Sequence, residues 1–316
     1  MQIIATLTLN PAIDAAYQVD KMHPTHKMRS HEERYDPGGG GINVARVVAE
    51  LGGMVRAYYA AGGPTGAALG GLLDVEGLPK HLIPINGATR LSATVRESET
   101  GAEYRIVPRG PNLSESEWQD CLAEVEAMQC DILVASGSLP NGAPEDFYRR
   151  AAAIAAKRGI KFMLDSSGRG LKHALGDANI LLIKPSRGEL CTLVGKSLDS
   201  EPEIVAAARD LVASGAVQNV AVTLAHDGAI LVTSVGTYRL PALPVEVRSS
   251  VGAGDSFLGA MVFSLSHDKP VTEAFRFGLA AGTAAVMSPG TQLCSNDAVH
   301  RLFAQVGEPA LIPEKS

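Results

Sequence analysis

The chain has 316 residues, 46% hydrophobic and 20% charged, with 33 glycines. That is enough for one large α/β domain or two ordinary ones, and nothing in the composition signals disorder. A net charge of −6 and a pI near 5.8 leave no general basic field for nucleic acid or an acidic membrane, so cations that matter must be placed locally.

Four cysteines (Cys121, Cys130, Cys191, Cys294) are widely spaced, form no C-x-x-C or Cys/His metal pattern, and read as reduced thiols. Residues 2–9 alternate as a first strand, which Asn10-Pro11-Ala12 ends. No basic leader or cleavage site precedes that strand, and no apolar run reaches the ~18 residues of a membrane span. The expectation is a cytoplasmic protein.

From Asp14 to Asp36 short segments such as Ala16–Val19 and Lys27–Ser30 are separated by polar and proline breaks, and read as short strands that leave the main layer. Pro37-Gly38-Gly39-Gly40-Gly41-Ile42-Asn43-Val44-Ala45-Arg46 is a glycine run opening a helix that continues to Leu51. Strand, helix and turn signals alternate through Tyr58–Leu78. Residues 91–107 are two β-like runs about the turn Glu99-Thr100-Gly101, a hairpin signal. With the early strands they can form a small separate sheet.

After Pro111 helices near 114–129, 145–158 and 202–214 alternate with apolar strands at 131–135, 161–165, 180–183 and 220–224. Strands apolar on both faces and alternating with helices mean a parallel sheet covered on two sides. Ligands then sit at the carboxyl ends of the strands. Those ends carry Ser136-Gly137-Ser138, Asp165-Ser166-Ser167-Gly168, Lys184-Pro185-Ser186-Arg187-Gly188-Glu189 and Thr223-Leu224-Ala225-His226-Asp227-Gly228, and together they read as a nucleotide and substrate cleft.

The organising stretch is Val251-Gly252-Ala253-Gly254-Asp255-Ser256-Phe257, a glycine loop that opens an apolar helix. Glycines let backbone N–H groups converge, and a helix start adds free N–H groups and a positive dipole end. This is an anion hole suited to a phosphoryl group in transfer, with Asp255 set to take a proton from an attacking hydroxyl. The bland alternative is a helix that merely begins with Asp255 and Ser256 after a turn. Helices near 256–267, 271–287 and 296–306 close a single domain, 1–308, with lid segments at 14–36 and 90–107 and a mobile tail, 309–316. His23, His26 and His31 are irregularly spaced and read as surface histidines rather than a metal site.

The two glycine motifs, in order and about 210 residues apart, together resemble the signatures of the phosphofructokinase-B family of sugar kinases in the ribokinase superfamily. The resemblance covers nearly the whole chain. It implies a ribokinase-like three-layer α/β/α sandwich with a mainly parallel central sheet and a small β-sheet lid.

Within the family, Asn10-Pro11-Ala12-Ile13-Asp14 is similar to the phosphosugar kinases. The four-glycine run, with Gly40 where other members carry Lys, resembles the type II 6-phosphofructokinases, as do Arg276-Phe277-Gly278 and Gly290–Ser295.

By position, the resemblance makes Asp255 the catalytic base and Gly252, Ala253 and Gly254 the anion hole. It gives Asp14, Gly38, Gly39, Asn43 and Ser138 to the sugar, and Lys27, Arg29, Arg90 and Arg105 to the sugar's phosphate. Lys184, Ser186, Glu189, Thr223, Ala225 and Gly228 fall where the family binds ATP, with Glu189 ordering Mg²⁺ through water. A monovalent cation (K⁺) near Ser249, Val251, Ser288 and Gly290 is left open.

Two positions depart from the family pattern, Ser186 for Asn and Ala225 for Gly, and bear on nucleotide and metal binding.

The implied reaction is ATP-dependent phosphorylation of a sugar phosphate, foremost fructose 6-phosphate at its 1-hydroxyl. Tagatose-6-phosphate kinase and 1-phosphofructokinase are alternatives, and a sugar-phosphate-binding regulator is the non-enzyme one. A Rossmann dehydrogenase is disfavoured because no G-x-G-x-x-G follows the first strand. The lid sheet, with Tyr17, Val19, Met28 and Ile106 on its outer face, is expected to pair in a homodimer.

Overall fold

The computed structural model describes residues 1–176 and 179–313. The first half contains β1 (Ile4–Thr8), β2 (Ala12–Val19), β3 (Glu32–Gly38), α1 (Gly40–Glu50), β4 (Val55–Ala61), α2 (Gly63–Val75), β5 (Lys80–Pro84), β6 (Arg90–Glu97) and β7 (Glu103–Ile106). It continues with α3 (Glu115–Ala127), β8 (Ile132–Ser136), α4 (Phe147–Lys157), β9 (Lys161–Asp165), α5 (Gly168–Lys172), β10 (Ile180–Ile183), α6 (Arg187–Val194) and α7 (Glu201–Ala213). The last part holds β11 (Val217–Thr223), β12 (Ala229–Thr233), β13 (Gly236–Leu240), α8 (Ala253–Ser266), α9 (Val271–Val286), α10 (Asn296–Phe303) and β14 (Ala310–Leu311).

Ten of these strands form one sheet in the order β14-β13-β12-β11-β10-β9-β8-β1-β4-β5. From β5 to β11 all neighbours are parallel, while β12, β13 and β14 are antiparallel. Successive strand residues face opposite sides, so the apolar strands feed two cores. One core packs Ile4, Ile132, Met163 and Leu231 against α1, α8, α9 and α10. The other packs Leu7, Leu133, Leu164 and Ile230 against α3, α4, α6 and α7. The result is a three-layer α/β/α sandwich with a mainly parallel sheet.

Chain order reverses at β1, which pairs with β4 on one side and β8 on the other. Loops diverge at such a point and open a crevice at the carboxyl ends of the strands.

β2, β3, β6 and β7 form a separate four-stranded sheet in the order β3-β2-β6-β7. The hairpin read over 91–107 is β6 and β7, paired from Ala93↔Ile106 to Arg96↔Glu103. Alternation divides this sheet by face. Asp14, Ser92, Thr94 and Arg105 line a cleft, whereas Tyr17, Val95, Tyr104 and Ile106 occupy the opposite register.

Three expectations are corrected. Lys27–Ser30 is not a strand: the chain turns after Pro24, Thr25 has φ 63, and β3 begins only at Glu32. Val19 is buried at 5% exposure and offers nothing to an outer face. The tail expected to be mobile from Pro309 is instead paired at Ala310 and Leu311 with Arg239 and Tyr238 of β13, and its residues 314–316 lie outside the described residues. No helix among the described residues is long and apolar enough to cross a membrane.

Candidate active site

The cleft between the small sheet and the starts of α1 and α8 is a cavity of about 200 Å³. Asp14, Gly39, Asn43, Arg90, Arg105, Val251, Gly252 and Asp255, all singled out in the sequence, line it. So do Ala12, Gly40, Ser92, Thr94, Val107 and Thr291, which the sequence reading did not assign. Alternation along β6 carries the signal for Ser92 and Thr94, since both follow Arg90 by even steps.

Asp255 is the third residue of α8. Gly252 caps this helix in the left-handed region, φ 72, where a side chain would be strained. The first backbone bond of the helix runs from Ser256 N–H to Gly252 C=O at 2.8 Å. The amides of Ala253, Gly254 and Asp255 therefore have no helical acceptor and lie at the open end of the helix that carries Asp255. Helix α8 lies close on α1 at Gly259, where a Cβ would stand 2.8 Å from the Val47 side chain. That approach lets Asn43 Nδ2 on α1 donate to Asp255 Oδ2 at 2.8 Å.

Burial, with Asp165 nearby, raises the Asp255 pKa to about 7, and the Asn43 bond and Lys184 oppose the rise. Such a carboxyl is poised to accept a proton near neutral pH.

Behind α8 the Lys184 ammonium lies 3.4 Å from Asp165 and is nearly buried. Burial weakens its hold on a proton, but the charges of Asp165, Asp255 and Glu189 outweigh this and leave its pKa raised. A Cβ on Gly254 would sit 3.0 Å from Lys184 Nζ, so the ammonium touches the mouth of the helix. The carboxyl groups of Asp165, Asp255 and Glu189 outnumber the single ammonium at this edge.

That imbalance suits a divalent cation. Among the described residues, however, no group of three or more His, Cys, Asp or Glu is arranged to hold a metal. The donor set fits an ion held mainly by substrate phosphates and water, as Mg²⁺ commonly is.

The other assigned residues divide. Gly38 ends β3 directly against the Asp14 carboxylate. Ser138 lies outside the cleft and accepts a bond from Asn10 Nδ2 at 3.3 Å. Lys27 and Arg29 stand on the exposed loop before β3 and do not line the cleft. Arg90 is committed in part: Nη2 donates to Asn10 C=O at 2.8 Å and Nη1 to Pro108 C=O at 3.0 Å. Its buried Nε has no partner. Arg105 is exposed at the rim with no such commitment. Arg276, noted as part of a terminal motif, is structural: it ties α9 to Glu308 at 2.6 Å and covers the Phe303 ring.

On the nucleotide edge Ser186 caps α6. The Glu189 carboxylate turns back to accept from Ser186 N and Oγ, each at 2.8 Å, a capping box that occupies Oε2. Thr223 N–H donates to Pro185 C=O at 3.0 Å and joins β11 to this turn. Gly228 opens the turn into β12. Ser249 Oγ accepts from Val251 N–H at 3.2 Å, and Ser249 N–H donates to Val286 C=O, so this loop lies beside the α9 terminus that carries Ser288 and Gly290.

Ala225 has φ 51, a left-handed conformation that costs a side-chain-bearing residue about 1–2 kcal/mol. Ala225→Gly is expected to stabilise the fold by roughly 0.5–1 kcal/mol, once the greater freedom of glycine in the unfolded chain is subtracted. A urea midpoint that falls rather than rises would show that no strain is stored there.

An anion hole with a carboxylate in its first turn, facing a cleft rimmed by arginines, defines a phosphotransferase with an alcohol acceptor. The model of the pfkB family carbohydrate kinases matches residues 7–298. The ATP-dependent 6-phosphofructokinase isozyme 2 of Mycobacterium tuberculosis is 44% identical over 97% of this chain and 90% of its own. The 1-phosphofructokinase of Bacillus subtilis is 32% identical over 96% and 98%. The crystal structure of Escherichia coli phosphofructokinase-2 in complex with potassium superposes with a TM-score of 0.93 at 39% identity, covering 96% of this chain and 99% of that one. This chain belongs to the pfkB family of carbohydrate kinases, and its sandwich is ribokinase-like.

Proposed function

We propose that the chain is an ATP-dependent 6-phosphofructokinase, forming fructose 1,6-bisphosphate and ADP from fructose 6-phosphate. The observation that carries this reading is Asp255, set at the open end of α8 within a cleft that also holds Asp14, Asn43, Arg90 and Arg105. The names of the relatives support the same substrate.

In this mechanism the sugar's 1-hydroxyl oxygen bonds to the γ-phosphorus. The bond from that phosphorus to the bridging oxygen breaks, with its electron pair leaving on ADP. The hydroxyl proton passes to Asp255 Oδ. Amides of the α8 opening bind the migrating group, and Lys184 offsets its charge. Asp14 and Asn43 orient the sugar. Arg90 and Arg105 hold the phosphate already on it. The small sheet excludes water that would otherwise accept the phosphoryl group. Glu189 would hold Mg²⁺ through water, and the ion would supply charge neutralisation on the ATP phosphates. The loop at Ser249, Val251, Ser288 and Gly290 would hold a monovalent cation, and the E. coli relative is known in complex with potassium.

The deciding experiment is release of ADP, coupled to an indicator reaction, with a panel of acceptors. The expected result is the highest kcat/KM with fructose 6-phosphate. Preference for fructose 1-phosphate would support the 1-phosphofructokinase reading, which the B. subtilis relative keeps in view. Preference for tagatose 6-phosphate would support the third sugar. No turnover with any acceptor would support a regulator.

The phosphate site has its own test at Arg105, because Arg90 also holds backbone carbonyls. Arg105→Ala is expected to raise KM for the sugar phosphate about 10–100-fold, the value of one charge-assisted contact, and to leave unphosphorylated fructose nearly unaffected. Equal effects on both sugars would remove Arg105 from the phosphate site.

We further assign the outer face of the small sheet to a second copy of the chain. It presents Tyr104 at 43%, Tyr35 at 44% and Ile106 at 61% exposure, with Tyr17 beside Tyr35. Light scattering should give twice the 33.0 kDa chain mass. A single chain mass would leave this face unexplained.

A further inference from the structure

Asn43 donates to Asp255, but a carboxamide has two ends of nearly equal size, and what holds it this way round lies outside the cleft. Asn43 Oδ1 accepts from Arg46 Nη1 at 3.3 Å, three residues on along α1. A guanidinium has only donors, so the oxygen end of the amide must face it. An ionised carboxylate has only acceptors, so the nitrogen end must face Asp255. Both constraints select one orientation.

Arg46 is itself held fast, its side chain only 11% exposed. Its Nε and Nη2 donate to the two oxygens of Glu76, the residue that caps the end of α2, at 2.7 and 2.6 Å, and Nη1 also donates to Pro37 C=O at 3.1 Å. Asp36 on β3 lies 3.9 Å away. Asp36 is in turn gripped by Arg34 at 2.6 and 2.8 Å and accepts from Thr291 of the cleft.

We propose that Arg46 is a positioning residue for phosphoryl transfer: it fixes the Asn43 amide so that Nδ2–H faces the Asp255 carboxylate, and through Glu76 and Asp36 it ties that alignment to α2 and the small sheet. Arg46 does not itself line the cleft, and its one direct contact with a cleft-lining side chain beside the base is with Asn43. Lysine is a poor substitute, because a point charge cannot reach Glu76, Pro37 and Asn43 at once. This inference rests on the reading of Asp255 as the base.

The test is a kinetic cycle on the full-length enzyme with Arg46→Met, Asn43→Ala and the double variant. Arg46→Met is expected to lower kcat at least tenfold, with a smaller rise in KM for fructose 6-phosphate because Asn43 also orients the sugar. The double variant should have the kcat of Asn43→Ala alone, because Arg46 has then lost what it positions. Arg46→Lys should recover less than half of the loss. Losses that multiply in the double variant, or a rise in KM without a fall in kcat, would overturn the inference and make Arg46 a packing residue.

If Arg46→Met does not fold, Glu76→Gln takes its place in the same cycle, with a smaller loss expected. Asp255→Asn run alongside separates the two levels. Normal turnover there would sink the base assignment itself, whereas a dead Asp255→Asn with multiplying Arg46 and Asn43 losses would sink only the positioning role.

Discussion

Replacing Asp255 with Asn is expected to lower kcat by about 10²–10⁴-fold and to leave fructose 6-phosphate binding near its original strength. Asn keeps the shape and still accepts from Asn43, whose Nδ2 lies 2.8 Å from the carboxylate, so the cleft survives. What disappears is the proton acceptor. The amides of the α8 opening and Lys184 remain, and they retain part of the acceleration through charge and position alone. Isothermal titration with the sugar phosphate, beside steady-state kinetics, separates the two effects. Turnover within tenfold of the parent enzyme would mean that another group takes the proton.

In the unsubstituted enzyme, kcat should fall as pH drops below about 7, where burial and Asp165 set the Asp255 carboxyl. Well below that point the loss should approach tenfold per pH unit, since only the ionised base is competent.

The parts of this site that were legible in the sequence are those carried by short runs. Gly252-Ala253-Gly254-Asp255 carries its proposed role locally, because a helix opening, free backbone amides and a carboxylate all arise within one turn. The strands from β8 to β11 were legible because burial on both faces leaves continuous apolar runs.

The same signal concealed β12 and β13. Ala229–Thr233 is buried at every position, so periodicity does not reveal that it runs antiparallel to β11. The contacts that tune the base were hidden for a different reason. Asn43 meets Asp255 across 212 residues, Thr291 meets Asp36 across 255, and Asp165 reaches Lys184 from the neighbouring strand β9. Such pairs depend on strand order and helix packing, which no local pattern encodes. Lys27 and Arg29 are assigned to the phosphate by resemblance, and within one chain they stand on an exposed loop and are not among the residues that line the cleft. Arg46 resembled any polar residue on a helix until α2 was seen to bring Glu76 against it.

The Asn substitution at Asp255 is also expected to make the protein more stable at pH 8, although it disables the chemistry. The sign follows from proton linkage. An aspartate whose pKa rises from 3.8 in the unfolded chain to about 7 in the folded one holds its proton more tightly when folded. Its contribution to stability is therefore full below about pH 4 and is lost as pH rises towards 7.

At pH 8 the parent enzyme carries the whole cost of an ionised carboxylate beside Asp165, which Lys184 and Asn43 only partly offset. The gap of about three pKa units sets a ceiling near 4 kcal/mol, and water at the cleft reduces it to roughly 2 kcal/mol. Asn carries no such cost. Urea unfolding of the two proteins should show the variant ahead at pH 8 by that amount, with the difference shrinking as pH falls and approaching zero only near pH 3. A gap of the same size at both pH values would assign the gain to packing. A variant less stable at pH 8 would mean that the Asp255 charge is favourably paired in the fold, and that the carboxylate is not held at the poise a base requires.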